Sequence, residues 1–213
     1  MPMYGLFACA AAVWLLREIV TFMNLLPAKY LLTPLITALN LGIAICAAVT
    51  LGGETARILI VSALVLSLIA DVMLMLVVEK MTIYGIVYFF AAHVLYISAF
   101  AFDYRPALWH IAIGLALVAV IIIFAGKVTI TGKMKALVLC YSVALALTVF
   151  FALAGLETGG YPQGTLRACG ALCFILSDII FGINNFVKPI PHSSVCTWAF
   201  YGPAQTLFAL SCF

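Results

Sequence analysis

Two aspartates stand deep inside apolar stretches of this chain. Asp71 lies in Ser67-Leu68-Ile69-Ala70-Asp71 and Asp178 in Phe174-Ile175-Leu176-Ser177-Asp178. A carboxylate inserted into a bilayer costs ~2.5–3.5 kcal/mol on insertion scales, so it persists where it is paired, hydrated or functional. Glu18, Glu54, Glu79, Asp103 and Glu157 fall at or near the ends of the apolar stretches instead. If the segments carrying Asp71 and Asp178 run in the same direction, the two carboxyls reach similar depth and can face one cavity. That arrangement suits acid/base chemistry in which one carboxyl is protonated and the other ionised. The plainer reading is a pair of packing carboxyls bonded to Ser, Tyr or Arg. It accounts less well for two such residues in equivalent places.

Other polar side chains cluster in the same kind of setting. His93 is central in its segment, and Tyr96 follows at i+3 on the same face. His93 can carry a proton, donate a hydrogen bond to a substrate or ligate zinc; a buried His bonded to a neighbouring carboxyl is an equal alternative. Zinc needs three or four ligands. His110 and His192 lie near segment ends, and the seven Cys contain no CxxC. Cys169 and Cys173, one turn apart, read more simply as small apolar residues. Neither a His-only zinc site nor a disulfide framework is therefore expected. Tyr201 and Gln205 flank Pro203, which in a span frees a backbone carbonyl to line a cavity. Gln205 can orient water or a substrate oxygen, or bond helix to helix.

Lys29, Tyr141, Ser177 and Asn184 complete the residues expected at a substrate. Lys29 can bind a lipid phosphate or snorkel to the interface. Asn185 shares the Asp178 face at i+7, whereas Asn184 turns away unless the helix end deforms. Asn40, Met73, Met75, Phe89 and Phe90 read as packing or lipid contact. The chain has no Gly-rich phosphate loop, GxSxG elbow or HExxH.

The elements that must hold these residues follow from composition. Of 213 residues, 67% are hydrophobic and 8% charged, with a mean hydropathy of +1.29. A soluble domain is about 45–50% apolar and about 25% charged. A soluble globular protein and a disordered chain are both excluded. A net charge of +3 on so apolar a chain does not suggest nucleic acid. A membrane helix needs ~20 apolar residues, and hydropathy gives eight such segments at 3–23, 28–50, 56–78, 81–102, 106–126, 133–155, 165–187 and 193–213. The fold class is all-α, a polytopic membrane bundle of eight helices, forming one integral membrane domain over 1–213. Turn and charge signals mark the breaks: Leu26-Pro27, Gly52-Gly53-Glu54, Glu79-Lys80, Asp103 to Pro106, Gly126-Lys127, Gly159 to Pro162 and Lys188-Pro189. The first segment lacks the basic start of a signal peptide.

Basic residues set the orientation. Arg17, Lys29, Lys80, Lys127, Lys133, Lys135 and Lys188 lie near odd-numbered loops, and Arg57, Arg105 and Arg167 near even ones. The excess makes the odd loops cytoplasmic and puts both termini outside. Without Arg17 and Lys29, as site residues, the count is five against three. Short loops suggest a bacterial inner membrane.

Asp71 and Asp178 are 107 positions apart, almost half the chain, and Arg57 and Arg167 open their helices. This suggests two four-helix halves, 1–104 and 105–213. An even number of spans per half makes the repeat parallel.

These motifs together resemble one family. Ser67 to Leu74 resembles its first Asp motif. Gly85 with His93-Val94-Leu95-Tyr96 resembles its Gly…His-x-x-Tyr helix. Gly170 to Asp178 resembles its second Asp motif, followed by Asn184 and Phe186, and Tyr201-Gly202-Pro203-Ala204-Gln205 resembles its last helix. The family is the YhhN-like group of eight-span membrane proteins, which includes the lysoplasmalogenases. The resemblance runs from about Tyr30 to Leu210. One departure is that the family's Lys before Pro-Leu in the second helix is Thr33 here, with Lys29 one turn earlier; Asn185 stands where a basic residue is common.

The resemblance implies hydrolysis of the vinyl-ether bond of lysoplasmalogens, without metal or organic cofactor. The products are a fatty aldehyde and a glycerophospho-ethanolamine or -choline. Asp71 and Asp178 would be the catalytic pair, with a lysophospholipid substrate and membrane lipids as partners. Three alternatives remain: a small proton-coupled transporter, a metal-dependent membrane lipid hydrolase and a non-catalytic scaffold.

Overall fold

The computed structural model describes residues 2–76, 79–102 and 104–213. Among them the chain forms eight helices: α1 (Pro2–Phe22), α2 (Leu26–Leu51), α3 (Thr55–Met75), α4 (Glu79–Ala101), α5 (Trp109–Lys127), α6 (Gly132–Ala154), α7 (Gln163–Phe186) and α8 (Ser193–Leu210). Apart from the end of α3, each end lies within three residues of its expected place. The expected end of the third helix at 78 and the break at Asp103 lie outside the described residues.

Apolar runs of about 20 residues become helices because a helix bonds all of its own backbone, as a bilayer demands. Where they stop, turn residues act as read. Gly52 follows α2 at φ +91°, a conformation that side chains other than Gly rarely adopt. Arg57 then donates from Nε to the Cys212 carbonyl at 2.7 Å and from its NH1 nitrogen to the Gly52 carbonyl at 3.1 Å. It ties the end of α2 to the end of α8 and satisfies carbonyls a helix terminus leaves open.

Seven of the helices, α1 to α7, are long and apolar enough to cross a membrane. The eighth differs from the expected span 193–213. It ends at Leu210 and carries Thr197, Tyr201, Pro203, Gln205 and Thr206. Its polarity has a structural reason, since α8 packs on α7, α2, α1 and α3. Its polar groups meet protein rather than lipid.

Two pairs, α3 with α4 and α7 with α8, form the closest-packed units. Cross-contacts join α2 to α8 and α6 to α4. The core where they converge contains Ile43, Ile60, Leu64, Tyr96, Phe100, Phe174 and Phe208. Bare glycines permit the approach. A Cβ on Gly170 would sit 2.8 Å from the Phe208 ring, and one on Gly202 would sit 2.5 Å from the Trp14 ring. In contrast, α5 packs chiefly on α6 and exposes Ile111, Leu115, Val118, Ile122 and Ile123.

Candidate active site

Asp71 is buried late in α3, and two other helices hold it. Thr37 of α2 donates to Asp71 Oδ2 at 2.5 Å, and Tyr201 of α8 donates to the same oxygen at 3.0 Å. Behind Tyr201, Gln205 Nε2 donates to the Tyr201 hydroxyl at 2.7 Å, and the Tyr96 hydroxyl donates to Gln205 Oε1 at 3.1 Å. Every proton in this line points toward Asp71. The i,i+4 spacing of Tyr201 and Gln205 on α8 is what stacks their polar ends.

Asp178 of α7 has a different setting. The Tyr141 hydroxyl of α6 donates to its Oδ2. His93 lies behind: its Nε2 is 3.3 Å from the Tyr141 hydroxyl and its Nδ1 is 3.0 Å from Thr148 Oγ1. A tyrosine has one proton. Because Tyr141 gives its proton to Asp178, its oxygen accepts from His93 Nε2–H, and Thr148 completes the line by donating to Nδ1.

The two aspartates do not share a cavity, contrary to expectation. Asp71 lines a polar cavity of about 330 Å³ with Arg17, Lys29, Thr33, Asn184 and Trp198. Asp178 lines an apolar one of about 80 Å³ with Tyr141, Phe89, Phe124, Ile175 and Gly182. The reason is packing: α3 packs on α4, α2 and α8, whereas α7 packs on α8 and α6. The two carboxyls therefore open on different seams. Phe181 walls both cavities.

Of the residues expected at a substrate, Lys29 and Asn184 line the polar cavity and Tyr141 lines the apolar one. Asn184 gets there beside Asn185, and its Oδ1 accepts from the Ile190 backbone N–H at 3.0 Å as the helix ends. His93, Tyr96, Ser177, Tyr201 and Gln205 are buried and line neither cavity. His93, Tyr96, Tyr201 and Gln205 stand behind the carboxyls, whereas the buried Ser177 hydroxyl has no hydrogen-bond partner among the described residues. Asn40 is a helix-to-helix bond, its Oδ1 accepting from Thr206 at 3.0 Å. Among the described residues no three His, Cys, Asp or Glu side chains converge as a metal set would, and all seven Cys are free thiols.

Sequence reasoning passed over Thr37 and Thr148 and read Arg17 first as a topology signal. Arg17 is fully buried. It donates to Glu18 Oε1 at 2.7 Å, the Ser194 carbonyl at 3.1 Å and Ser194 Oγ at 2.9 Å, and its guanidinium lies 4.6 Å over the Trp198 ring. The signal for Thr37 was available. Thr33, Thr37 and Asn40 form an i, i+4, i+7 polar stripe on an apolar helix, and all three are buried.

Comparison with known proteins adds to this geometry. The chain is 31% identical over 157 residues to "Lysoplasmalogenase TMEM86A" of Bos taurus, covering 70% of this chain and 62% of that protein. It is 32% identical over 165 residues to "Lysoplasmalogenase TMEM86B" of Sus scrofa, covering 75% and 65%. The TMEM86A protein of Homo sapiens is 29% identical over 151 residues, covering 70% and 62%. The chain thus spans under two thirds of the length of these relatives. No solved structure matches it. The YhhN family model matches residues 27–212, which takes in nearly all of α2 and the whole of α3 to α8 with both aspartates, and the chain belongs to that family.

Proposed function

We propose that the protein hydrolyses the vinyl-ether bond of lysoplasmalogens. The observation that carries this is the pair of cavities that share Phe181, one polar and one apolar, each with its own carboxyl. A lysoplasmalogen has a polar head and one apolar chain, and its vinyl ether lies where the two meet. The curated relatives bear the name lysoplasmalogenase, which supports the same reading.

The reaction needs a proton on the alkenyl carbon beyond the ether C–O carbon. The ether-bearing carbon then becomes an oxocarbenium ion. Water adds there and loses a proton, and the hemiacetal collapses to aldehyde as the glycerol oxygen takes up a proton. Asp178 suits the acid. Its cavity walls are apolar, which disfavours a charged carboxylate, and one oxygen is free of the Tyr141 bond. Asp71 suits the carboxylate. It receives two hydrogen bonds and faces polar groups and Arg17, so it can stabilise the cation and take the proton from water. This is two-carboxylate acetal chemistry of the kind glycosidases use. Lys29, Asn184 and Tyr141 contact substrate in this scheme, while Tyr201 holds Asp71 with Gln205 and Tyr96 behind it, and His93 supports Tyr141. The protein sits in a cell membrane, of the bacterial inner type, with odd-numbered loops cytoplasmic. The chain is one domain built from two parallel halves. The crosswise pairing of α2 with α8 and α6 with α4 supports the halves, as does an aspartate on the third helix of each bonded from the second.

The test is fatty-aldehyde release from a lysoplasmalogen by detergent-purified protein, with Asp71→Asn and Asp178→Asn alongside. Both folded variants are expected to lose about 10²–10⁴-fold in rate, the usual worth of a positioned acid or base. Absence of release by folded wild type across ethanolamine and choline headgroups would overturn the proposal. Transport in liposomes would then be the next measurement.

A further inference from the structure

The polar cavity has a built order along α2. Lys29, Thr33 and Thr37 are spaced i, i+4 and i+8, so they form one stripe. Each marks a depth. Lys29 lines the cavity at the first turn. Thr33 faces Arg17, whose Nε is 3.5 Å from its hydroxyl. Thr37 bonds Asp71 at 2.5 Å. At ~1.5 Å rise per residue, Thr33 lies about 6 Å and Lys29 about 12 Å from the level of Asp71. Two cations thus occupy the outer turns and a carboxyl the inner one.

The two cations are prepared differently. Arg17 is rigid: packed over Trp198, paired with Glu18 and bonded to Ser194. Five N–H donors belong to a guanidinium, and four of them have acceptors here, which leaves one on the second terminal nitrogen for a ligand. Lys29 is half-buried and forms no ion pair among the described residues. A rigid guanidinium paired with Glu18 and an ammonium that feels the Glu18 charge but is held in no ion pair line one cavity, as an anion site requires.

We infer that Arg17 and Lys29 form a phosphodiester-binding subsite, half of it supplied by α1, which lies outside the family-matched residues 27–212. Which phosphodiester it takes rests on the reading above; the anion chemistry does not. Six bonds separate the phosphorus of a lysoplasmalogen from its first alkenyl carbon. At the ~3.5 Å per three bonds of an extended chain, that is roughly 7 Å. A phosphate held between the Thr33 and Lys29 levels therefore puts the reacting carbons at the level of Asp71. The subsite acts as a ruler that sets the vinyl ether beside the carboxyl.

The experiment is calorimetric titration of detergent-purified protein with glycerophosphoethanolamine, inorganic phosphate and an uncharged 1-O-alkylglycerol. Wild type is expected to bind the phosphodiester. Lys29→Gln is expected to weaken that binding about ten- to hundredfold, the usual worth of a hydrogen bond to a charged group. Lys29→Arg should retain most of it. Arg17→Lys, which keeps the charge but loses the fork, should weaken it too; if that variant does not fold, Lys29→Gln decides alone. Alkylglycerol binding should not respond to Lys29→Gln. No phosphodiester binding by wild type, or equal binding by Lys29→Gln, overturns the subsite. Inorganic phosphate binding as tightly as the phosphodiester overturns the lipid headgroup as its source. Loss of phosphodiester binding in Lys29→Gln, from a protein that releases no aldehyde, upholds the subsite and overturns only the hydrolase reading.

Discussion

Among the described residues, Gln205 is the one side chain that bonds both Tyr96 and Tyr201, accepting from the first and donating to the second. Replacing it with Leu strands the Tyr96 hydroxyl, while Tyr201 keeps its bond to Asp71. Tyr96→Phe strands the other end of the same bond, Gln205 Oε1, so each variant is expected to lose about 1–3 kcal/mol of stability. Thermal unfolding in detergent checks this, and an unchanged unfolding temperature in either variant would show that the bond between them carries no stability. Tyr141→Phe removes the donor to Asp178 and the acceptor for His93 together. Aldehyde release should fall about ten- to hundredfold, since ~1.4 kcal/mol is tenfold in rate. An unchanged rate would remove Tyr141 from the site. At this scale the sequence reveals charge better than it reveals neutral donors. Asp71 and Asp178 stand out because a carboxyl in an apolar run is costly. Thr37 and Thr148 do not, because a Thr can satisfy its own hydroxyl on its helix, as Thr50 does with the Cys46 carbonyl at 2.7 Å. Arg17 was visible as a charge, but its depth was not, since the partners that bury it come from α8, at Ser194 and Trp198.

Helix boundaries were legible because apolar length and turn residues act locally, whereas the seams between helices are set by contacts far apart in sequence. The single shared cavity expected for Asp71 and Asp178 failed for that reason: equal depth on parallel helices says nothing about which neighbour each helix faces. The shortness and polarity of α8 have the same origin, in that its polar face is chosen by α2, α3 and α7 rather than by its own hydropathy. Glycines mark the tightest seams. Gly170 meets Phe208 across α7 and α8, and Gly202 meets Trp14 across α8 and α1, while nothing lies within 4 Å of a Cβ on Gly5. Overpacking a tight interface costs about 1–3 kcal/mol, and an exposed helical Gly→Ala gains up to about 1 kcal/mol. Gly170→Ala and Gly202→Ala should therefore lower the unfolding temperature, and Gly5→Ala should hold or raise it. Because Trp14 donates to the Trp198 carbonyl at 2.9 Å, Gly202→Ala should also disturb the ring on which Arg17 rests. A lowered unfolding temperature for Gly5→Ala, with none for the other two, would reverse the packing argument.

For the whole molecule, orientation decides which leaflet would supply the proposed substrate. Arg17 is buried in the site and Lys29 faces the polar cavity, so neither counts as a loop charge. Five lysines remain at odd-numbered loops, Lys80, Lys127, Lys133, Lys135 and Lys188, against Arg57, Arg105 and Arg167 at even ones. Two of those three arginines are engaged by the fold: Arg57 on the carbonyls of Cys212 and Gly52, and Arg167 over the Phe100 ring at 5.6 Å. An arginine serving as a helix clamp is placed by packing, so the bias of the remaining charges toward the odd loops is stronger than the raw count. By the positive-inside rule this bias supports the orientation we propose, with those loops cytoplasmic. The polar cavity is lined by Lys29 near loop 1 and by Asn184, Asn185, Ser193 and Ser194 around loop 7, so it opens on the same side. A substrate would then enter headgroup-first from the cytoplasmic leaflet. Lys133→Cys and Glu157→Cys test this, each in a background with the native cysteines replaced by alanine. Both native side chains are exposed, Lys133 in the first turn of α6 beside loop 5 and Glu157 on loop 6. A membrane-impermeant maleimide should label Glu157→Cys in intact cells and Lys133→Cys only after permeabilisation. The reverse pattern would place the cavity mouth on the outer face, and the substrate would have to come from the outer leaflet.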